Sequence, residues 1–368
     1  MNPMGTPQPE PGLLNPDSAK EAVIIPAMPR LDHPLRLLLL SPALPPAAAG
    51  NARQAARLKK SLRDRGIRVR LVAAGLPPAR QLALARRFRP GLLWGLHLGK
   101  SGPAVFALAK KLRVPYGLTV TGTDVNETPL RPPARQRAAL AAAAALVIPD
   151  EGFRAPLRKR LRVWKTEWPA IVCIPPAFAL LAGLRRAPGF RPPVILWLGG
   201  LRAVKAPGWA LAAFAEVRKK IPAAQFCFAG PVLERTAAAP VLRAARDPAS
   251  GVRYLGPKSW RAAQRLIAGA AVVTNTSRSE ALPHALGEAL RLGVPVVARA
   301  IAGNRPFLRP YGPGFAVVSP AGWRRQMLRL LRNPPARAAR SGSRYAPARE
   351  AREYAALLRS LLHAPADG

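Results

Sequence analysis

From residue 35 onward, short apolar runs alternate with longer amphipathic segments, and this alternation limits the folds open to the chain more than any other feature. The short runs have the length and composition of buried strands, and the longer segments carry apolar residues at helical spacing. Such alternation is typical of parallel sheets with helices on both faces, so the sequence predicts an α/β fold. The predicted strands cover residues 35–40, 67–72, 91–96, 116–120, 145–148, 171–174, 194–198, 225–229, 252–255, 271–275, 294–298 and 315–318.

The alternation is interrupted once by a stretch rich in proline and glycine and then restarts. A length of 368 residues also suggests two domains, at about 150 residues each. We therefore predict two tandem Rossmann-like, doubly wound domains with a cleft between them. The predicted division is a flexible N-terminal extension over 1–34, a first domain over 35–180, a linker over 181–193, a second domain over 194–340, and a C-terminal helix and tail over 341–368.

The chain is strongly basic, with 58 Lys and Arg against 18 Asp and Glu and a formal charge of +40. Because 49% of the residues are apolar, a core can form, which excludes a basic disordered tail. The charge keeps two alternatives open: nucleic-acid binding, or association with an anionic membrane surface through the basic amphipathic segment 52–65. Nucleic acid is the less favoured partner, because only 6% of the residues are aromatic and no RRM, KH, zinc-finger or helix-turn-helix signature is present.

Cysteine content and hydropathy bear on the compartment. Cys173 and Cys227 are the two cysteines, and each lies in an apolar strand-like run, which excludes a disulfide framework or a CxxC metal site. No apolar stretch reaches the ~20 residues needed to cross a bilayer, and the N-terminus lacks the pattern of a secretory signal. We expect a cytoplasmic protein, with peripheral membrane contact as an open alternative.

Ligands of open parallel sheets bind beside the carboxyl ends of the strands, so the loops after the strands are the first places to search for a site. In the first domain, Gly50 and Asn51 open a helix, His97 follows the third predicted strand, and Thr123 and Asp124 follow the fourth. Each has a plain structural alternative, because Asn, Asp and His also cap helices and turns. We expect these residues to face the cleft.

In the second domain, the first predicted strand ends in Gly199-Gly200-Leu201-Arg202, and Lys205 follows three residues later. Paired glycines let a ligand approach the backbone, and cations beside a helix start attract phosphate oxygens. The absence of a Walker A or GxGxxG sequence disfavours P-loop NTPases and simple dinucleotide dehydrogenases.

Two glutamates flank the start of a later predicted helix. Glu280 lies in the loop after strand 271–275, and Glu288 lies more than one turn into a helix that begins near Pro283 and ends at Gly293. Carboxylates are good acceptors for paired hydroxyl groups, so one glutamate can bind a sugar and the other a ribose. In a chain this poor in acids, we interpret the pair as functional rather than as surface charge.

These motifs resemble the retaining family 4 glycosyltransferases (glycosyl transferases group 1) of the GT-B fold. The resemblance rests on Glu280 and Glu288 eight residues apart, on Arg202 and Lys205, and on Phe228-Ala229-Gly230-Pro231. The Thr-Gly-Thr-Asp segment at 121–124 and Ala302-Gly303-Asn304 are most similar to glycosyltransferase 1 domain-containing proteins and to bacterial selenosugar synthases.

The resemblance implies transfer of a sugar, hexosyl or N-acetylhexosaminyl, from a nucleotide-diphosphate donor, with UDP the usual nucleotide of the family. It implies no metal and no cofactor. Arg202 and Lys205 would hold the diphosphate, Glu288 the ribose and Glu280 the donor sugar; Arg202, Lys205 and Glu280 would be catalytic. Further donor contacts are expected from Gly200, Gly230, Ala281, Leu282 and Pro283. The acceptor-side candidates that the resemblance implies in the first domain are Gly50, Asn51, His97, Thr123 and Asp124. The chain departs from the family in one place, since Gly200 occupies the position where many members carry the arginine.

Overall fold

The computed structural model describes residues 34–45, 50–121, 124, 133–163, 169–187, 189–280, 283–308, 315–334 and 342–363. The described strands form two parallel sheets of six strands each. Most strand residues are buried, as expected where helices cover both faces of a sheet. None of the described helices is long and apolar enough to cross a membrane.

The first sheet has the strand order β2-β1-β3-β4-β5-β6, so the chain reverses its direction of winding between β1 and β3. Its strands are β1 (Arg36–Ser41), β2 (Arg68–Ala73), β3 (Leu92–Leu96), β4 (Tyr116–Thr119), β5 (Ala145–Ile148) and β6 (Ala170–Cys173). The helices that follow them are α1 (Gly50–Arg63), α2 (Pro78–Phe88), α3 (Leu98–Leu112), α4 (Ala134–Ala141) and α5 (Arg154–Val163).

The second sheet has the order β12-β11-β10-β7-β8-β9 and reverses between β7 and β10. Its strands are β7 (Val194–Leu198), β8 (Gln225–Ala229), β9 (Val252–Tyr254), β10 (Val272–Asn275), β11 (Val296–Arg299) and β12 (Ala316–Val317). Its helices are α6 (Leu211–Lys220), α7 (Arg235–Ala244), α8 (Trp260–Gly269), α9 (His284–Leu292), α10 (Arg305–Leu308) and α11 (Pro320–Arg332).

The last helix, α12 (Pro347–His363), returns to the first sheet. Its Tyr354 and Leu358 are buried in the same core as strands β1 and β3. The Tyr354 hydroxyl lies 3.0 Å from Thr119 Oγ1, which also accepts a 2.9 Å hydrogen bond from Trp94 Nε1. The first sheet is therefore completed by the C-terminal end of the chain.

A buried ion pair fastens α12 to α1. The Arg57 guanidinium donates two hydrogen bonds, of 2.7 and 2.8 Å, to the two carboxylate oxygens of Glu350. The Glu350 side chain has no exposed surface. Because the paired charges are removed from water, each depends on the other for its stabilisation.

The predicted α/β fold of two tandem doubly wound domains is confirmed, and each predicted strand overlaps an observed one. One helix differs from its sequence pattern: the spacing of apolar residues predicts a helix over 103–112, whereas α3 begins five residues earlier, at Leu98. The reason is a distant cap, since the Asp124 carboxylate accepts hydrogen bonds from the first backbone N–H groups of this helix.

The chain between the two sheets packs against the second domain over much of its length. Phe178 is buried among the rings of His284, Phe307 and Tyr345, and the Ala187 and Phe190 amides donate to carbonyls at the end of α8. Gln264 fastens this segment twice more, because its side-chain amide bonds both Ala179 and Leu181.

Candidate active site

The two points at which the sheets reverse their winding carry the residues of interest. The loop after β7 holds Lys205 and the loop after β10 holds Glu280, so neighbouring strand ends bring them together across about 75 residues of chain. The N-terminus of α1 approaches the same place from the first domain, because a Cβ on Gly50 would lie 3.9 Å from His284 Nε2. The candidate site is thus a cleft at the carboxyl ends of both sheets.

Lys205 and Glu280 form the centre of this site. Lys205 Nζ lies 2.5 Å from Glu280 Oε1, which also accepts hydrogen bonds from Asn275 Nδ2 at 2.9 Å and from Ser277 Oγ at 2.7 Å. The two side chains are largely buried, with exposed fractions of 20% and 9%. Three donors on one carboxylate oxygen hold the ammonium group at a fixed position beside the cleft.

Thr276 joins the two loops below this pair. Its hydroxyl accepts a 2.9 Å hydrogen bond from Trp197 Nε1 and lies 3.0 and 2.9 Å from the carbonyl oxygens of Lys205 and Ala206. Ala206 has φ 42°, a left-handed conformation that costs a residue with a side chain roughly 1–2 kcal/mol. The surrounding hydrogen bonds hold this conformation, and with it the direction of the Lys205 side chain.

Close packing explains the glycines in the loops after β7 and β8. A Cβ on Gly230 would lie 1.8 Å from the carbonyl oxygen of Gly199, and Gly230 has φ 150°. Gly200 faces the Leu233 side chain, which a Cβ would meet at 2.4 Å. The turn at Gly199-Gly200 therefore packs directly against the Phe228-Ala229-Gly230-Pro231 motif.

We expect Gly230→Ala to lower the free energy of unfolding by about 1–3 kcal/mol and to weaken UDP binding, because the methyl group must displace the Gly199 carbonyl. Urea denaturation and calorimetric titration with UDP measure the two effects. Gly75→Ala is the matched control, since a Cβ there meets nothing within 4 Å. Equal behaviour of the two variants would contradict the supporting role of Gly230.

Arg202 differs from Lys205 in its surroundings. Its side chain is exposed, and within the described residues no hydrogen bond or ion pair is found for it. Its backbone lies in the same turn, which Glu234 closes by accepting a 2.8 Å hydrogen bond from the Ala203 amide. Arg202 is accordingly a cation at the cleft without a fixed position, whereas Lys205 is held by Glu280, which Asn275 and Ser277 fix in turn.

Helix α9 carries the second glutamate. Pro283 caps its start, Gly293 ends it in the left-handed conformation, and Glu288 is buried with an exposed fraction of 4%. Burial raises the pKa of Glu288, and hydrogen bonds from Trp260 Nε1 and Gln264 partly oppose that shift. That Glu288 binds the ribose of the donor stays a prediction.

His284 is a site residue that the sequence reasoning did not single out. It lies one turn before Glu288 and close to Gly50. Burial lowers its pKa well below 6.5, and the positive charges of Arg53, Arg57 and Lys205 lower it further. The imidazole is therefore neutral at pH 7 and offers both a hydrogen-bond donor and an acceptor in the cleft. Its position in the sequence, four residues after Glu280 and at the start of a predicted helix, could have indicated that His284 faces the cleft.

The low pKa of His284 predicts a pH dependence of stability. As the pH falls below about 6.5, the unfolded chain binds a proton that the folded chain does not, so the free energy of unfolding should decrease by up to about 1.4 kcal/mol per pH unit. His284→Gln should remove this component. Urea denaturation across that pH range measures the free energy of unfolding of the wild type and of His284→Gln. Glu288, whose raised pKa contributes with the opposite sign, is present in both proteins, so the difference between them isolates the contribution of His284. Parallel pH curves would contradict the assignment.

In the first domain, His97 and Asp124 form a capping unit at the start of α3. His97 Nδ1 lies 2.7 Å from Asp124 Oδ1, a contact that requires a proton on Nδ1, so the imidazole donates to the carboxylate and the 3.3 Å contact from the Lys100 amide is secondary. Asp124 also accepts from the amides of Leu98, Gly99 and Thr121 at 2.8–2.9 Å.

Asp124 therefore has a full structural role, which was the alternative given for it above. His97 holds φ 76°, and strained backbone of this kind is often found at functional sites. A role of either residue in acceptor binding stays a prediction, as do those of Gly50 and Asn51. Thr123, Ala281 and Leu282 lie outside the described residues.

Asn304 extends the network around Glu280. Its Nδ2 donates to the Arg299 carbonyl at 3.0 Å and to Asn275 Oδ1 at 3.3 Å, which orients the amide that holds Glu280. Within the described part of the chain, Asn304 Oδ1 is buried without a partner. The Ala302-Gly303-Asn304 motif thus acts on Glu280 through Asn275.

The chain is similar to known proteins in sequence and in fold. The family described as "Glycosyl transferases group 1" matches residues 192–333, which contain both loops of the Lys205–Glu280 network. This match spans every described strand of the second sheet. Over 309 residues the chain is 26% identical to glycosyltransferase 1 domain-containing protein 1 of Xenopus tropicalis, covering 78% of this chain and 86% of that protein.

Solved structures extend the likeness to both domains of the chain. Sucrose-phosphate synthase of Thermosynechococcus elongatus has a TM-score of 0.71 at 19% identity, and the match covers 90% of this chain and 100% of the synthase chain. HepE of Anabaena, in complex with UDP-glucose, has a TM-score of 0.66 at 14% identity, over 89% of this chain and 100% of HepE. The fold is GT-B, as the sequence predicted.

Proposed function

We propose that the protein is a retaining glycosyltransferase that moves a hexosyl or N-acetylhexosaminyl group from a UDP-sugar to an acceptor bound on the first domain. The observation that carries the proposal is the Lys205–Glu280 pair, held by Asn275 and Ser277 at the carboxyl ends of β7 and β10. UDP as the nucleotide is supported by HepE, a protein of the same fold in complex with UDP-glucose.

The proposed chemistry needs charge at the leaving group. The bond between the sugar C1 and the diphosphate oxygen breaks, its electron pair stays on the diphosphate, and Lys205 with Arg202 stabilises the negative charge that develops. Because a cation already stands at this position, we propose that the transfer needs neither a metal nor a cofactor. Glu280 both orients Lys205 and lies where it can accept hydrogen bonds from sugar hydroxyls.

The retaining outcome is proposed to arise without a protein nucleophile. Glu280 Oε1 carries three hydrogen-bond donors, which lowers its nucleophilicity, and burial raises the pKa of Cys173 to about 12, so that it stays a thiol. The acceptor hydroxyl would then attack C1 from the side on which the diphosphate leaves, and its proton would pass to the diphosphate. The new C1–O bond keeps the configuration of the bond it replaces.

Ligand binding to the native state tests the donor assignment. A thermal-shift panel of nucleotide sugars should show a higher melting temperature with UDP-sugars, because a ligand that binds only the folded state stabilises it by RT ln(1 + [L]/Kd). The shift should be much smaller with Lys205→Met. No shift with any nucleotide sugar would contradict the proposal and favour a basic binding protein on an inactive glycosyltransferase fold.

Stereochemistry is tested separately once a product is in hand. The anomeric proton of the product, observed by NMR, should show the same configuration as the UDP-sugar supplied. An inverted anomer would refute the retaining mechanism and leave the donor assignment intact.

We further propose that the reaction takes place in the cytoplasm. Both cysteines are free thiols, Cys227 buried and Cys173 half-buried, as is usual in a reducing compartment. Fractionation of cells that express the full chain should place it with cytosolic proteins, and recovery from a secreted fraction would refute the location.

A further inference from the structure

A cavity of about 500 Å³ lies on the flank of α1, outside the candidate active site. Its charged lining consists of Lys59, Lys60, Arg63 and Asp64, and Pro45 and Leu71 contribute apolar walls. Helix α1 begins at Gly50 beside His284, so Lys59 lies about 14 Å further along the helix axis at 1.5 Å per residue. The cavity is therefore separate from the cleft.

The three cations of this cavity form no ion pair with any described residue, the Asp64 of the same lining included. Within the described residues, no ion pair or side-chain hydrogen bond is found for Lys59, Lys60 or Arg63, whereas Arg57 on the same helix is paired with Glu350. Lys60 and Arg63 lie in the last turn of α1, where cations interact favourably with the helix dipole. That interaction does not account for the concave surface that they share with Lys59. Three cations around one concave surface form a site for an anion.

The charge and the walls specify which anion fits. Three cations and one carboxylate leave two net positive charges in the cavity. A phosphate monoester carries about 1.5 to 2 negative charges at pH 7, and a phosphodiester about one. We propose that this cavity binds a phosphate monoester, with Lys59, Lys60 and Arg63 on the phosphate oxygens and the apolar walls against the esterified group. The proposal does not depend on the transferase activity.

Two sources can supply this group: a soluble phosphate ester, or the headgroup of phosphatidic acid at a membrane surface. The soluble arm of the test is calorimetric titration with glycerol 3-phosphate, compared with dimethyl phosphate as a diester. The membrane arm is flotation with phosphatidylcholine vesicles that contain either phosphatidic acid or phosphatidylglycerol.

The variant for both arms replaces Lys59, Lys60 and Arg63 with Gln. Its matched control replaces Lys110, Lys111 and Arg325, which are also two lysines and one arginine, are exposed and do not line the cavity. Glycerol 3-phosphate or phosphatidic acid vesicles should bind the cavity variant at least about tenfold more weakly than the control variant. The shift of melting temperature with UDP should be the same in both, since the donor site is intact.

Binding of glycerol 3-phosphate identifies a soluble ester, and binding of phosphatidic acid vesicles alone identifies a lipid headgroup; both support the proposal. Equal binding of the cavity variant and the control variant would overturn it. So would equal affinity for monoester and diester probes in both arms, because a general basic surface does not distinguish them.

Discussion

Replacing Lys205 with Met is expected to weaken UDP binding by about 10- to 100-fold, because a hydrogen bond to a charged group contributes about 1.5–3 kcal/mol and 1.4 kcal/mol is a factor of ten. The rate of sugar transfer should fall by a further 10²–10³ or so, since the lost charge acts mainly on the leaving diphosphate. Calorimetric titration measures the first effect, and release of UDP from a UDP-sugar measures the second.

The fold should survive this change, because Glu280 keeps its hydrogen bonds from Asn275 and Ser277. Lys220→Met is a suitable control: Lys220 is exposed at the last residue of α6 and should leave UDP affinity unchanged. A Lys205→Met protein that binds UDP and releases it from UDP-sugars like wild type would refute the role given to Lys205.

Replacing Arg57 with Met is expected to lower the free energy of unfolding by about 3–5 kcal/mol. Glu350 has no exposed surface, so the loss of Arg57 leaves its carboxylate buried without a counterion. The double variant Arg57→Met, Glu350→Met should recover most of the loss, because replacing both charges by apolar groups removes the uncompensated burial. Urea denaturation of the three proteins gives the coupling energy between the two positions.

The exposed pair of Glu216 and Lys219 provides the comparison. Its side chains are 44% and 68% exposed, so Lys219→Met should change the stability by no more than about 1 kcal/mol. If Arg57→Met were as mild as Lys219→Met, or if the double variant were as unstable as the single one, the buried pair would not be holding α12 to α1.

The fold was predictable from the sequence because its signal is local and repeated. Each strand of a parallel sheet is a short apolar run, and the helices between them show their own period, so residues 35–40 or 194–198 could be assigned without knowledge of their neighbours. The start of α3 could not be assigned in this way. Its first amides are capped by Asp124, about 25 residues downstream, and no pattern near residue 98 reports that contact.

The same distinction applies to the candidate site. Lys205 and Glu280 were predictable because each follows a strand, and the structure brings them within 2.5 Å. His284 was not predictable as a neutral imidazole, since burial in the cleft lowers its pKa and Arg53 and Arg57, on a helix of the other domain, lower it further. The partnership of Arg57 and Glu350, which are 293 residues apart, is equally invisible in the sequence.

The return of α12 to the first sheet means that the first domain, although translated first, can complete its core only after the strands of the second domain have been translated. Strands β1 to β6 are made first, but Tyr354 and Leu358, which fill their core beside Trp94, leave the ribosome only after every strand of the second sheet has been made. Until then, the apolar face of the first sheet that Tyr354 and Leu358 cover in the folded protein is left without these side chains. The first domain can therefore become fully native only after α12 has been translated.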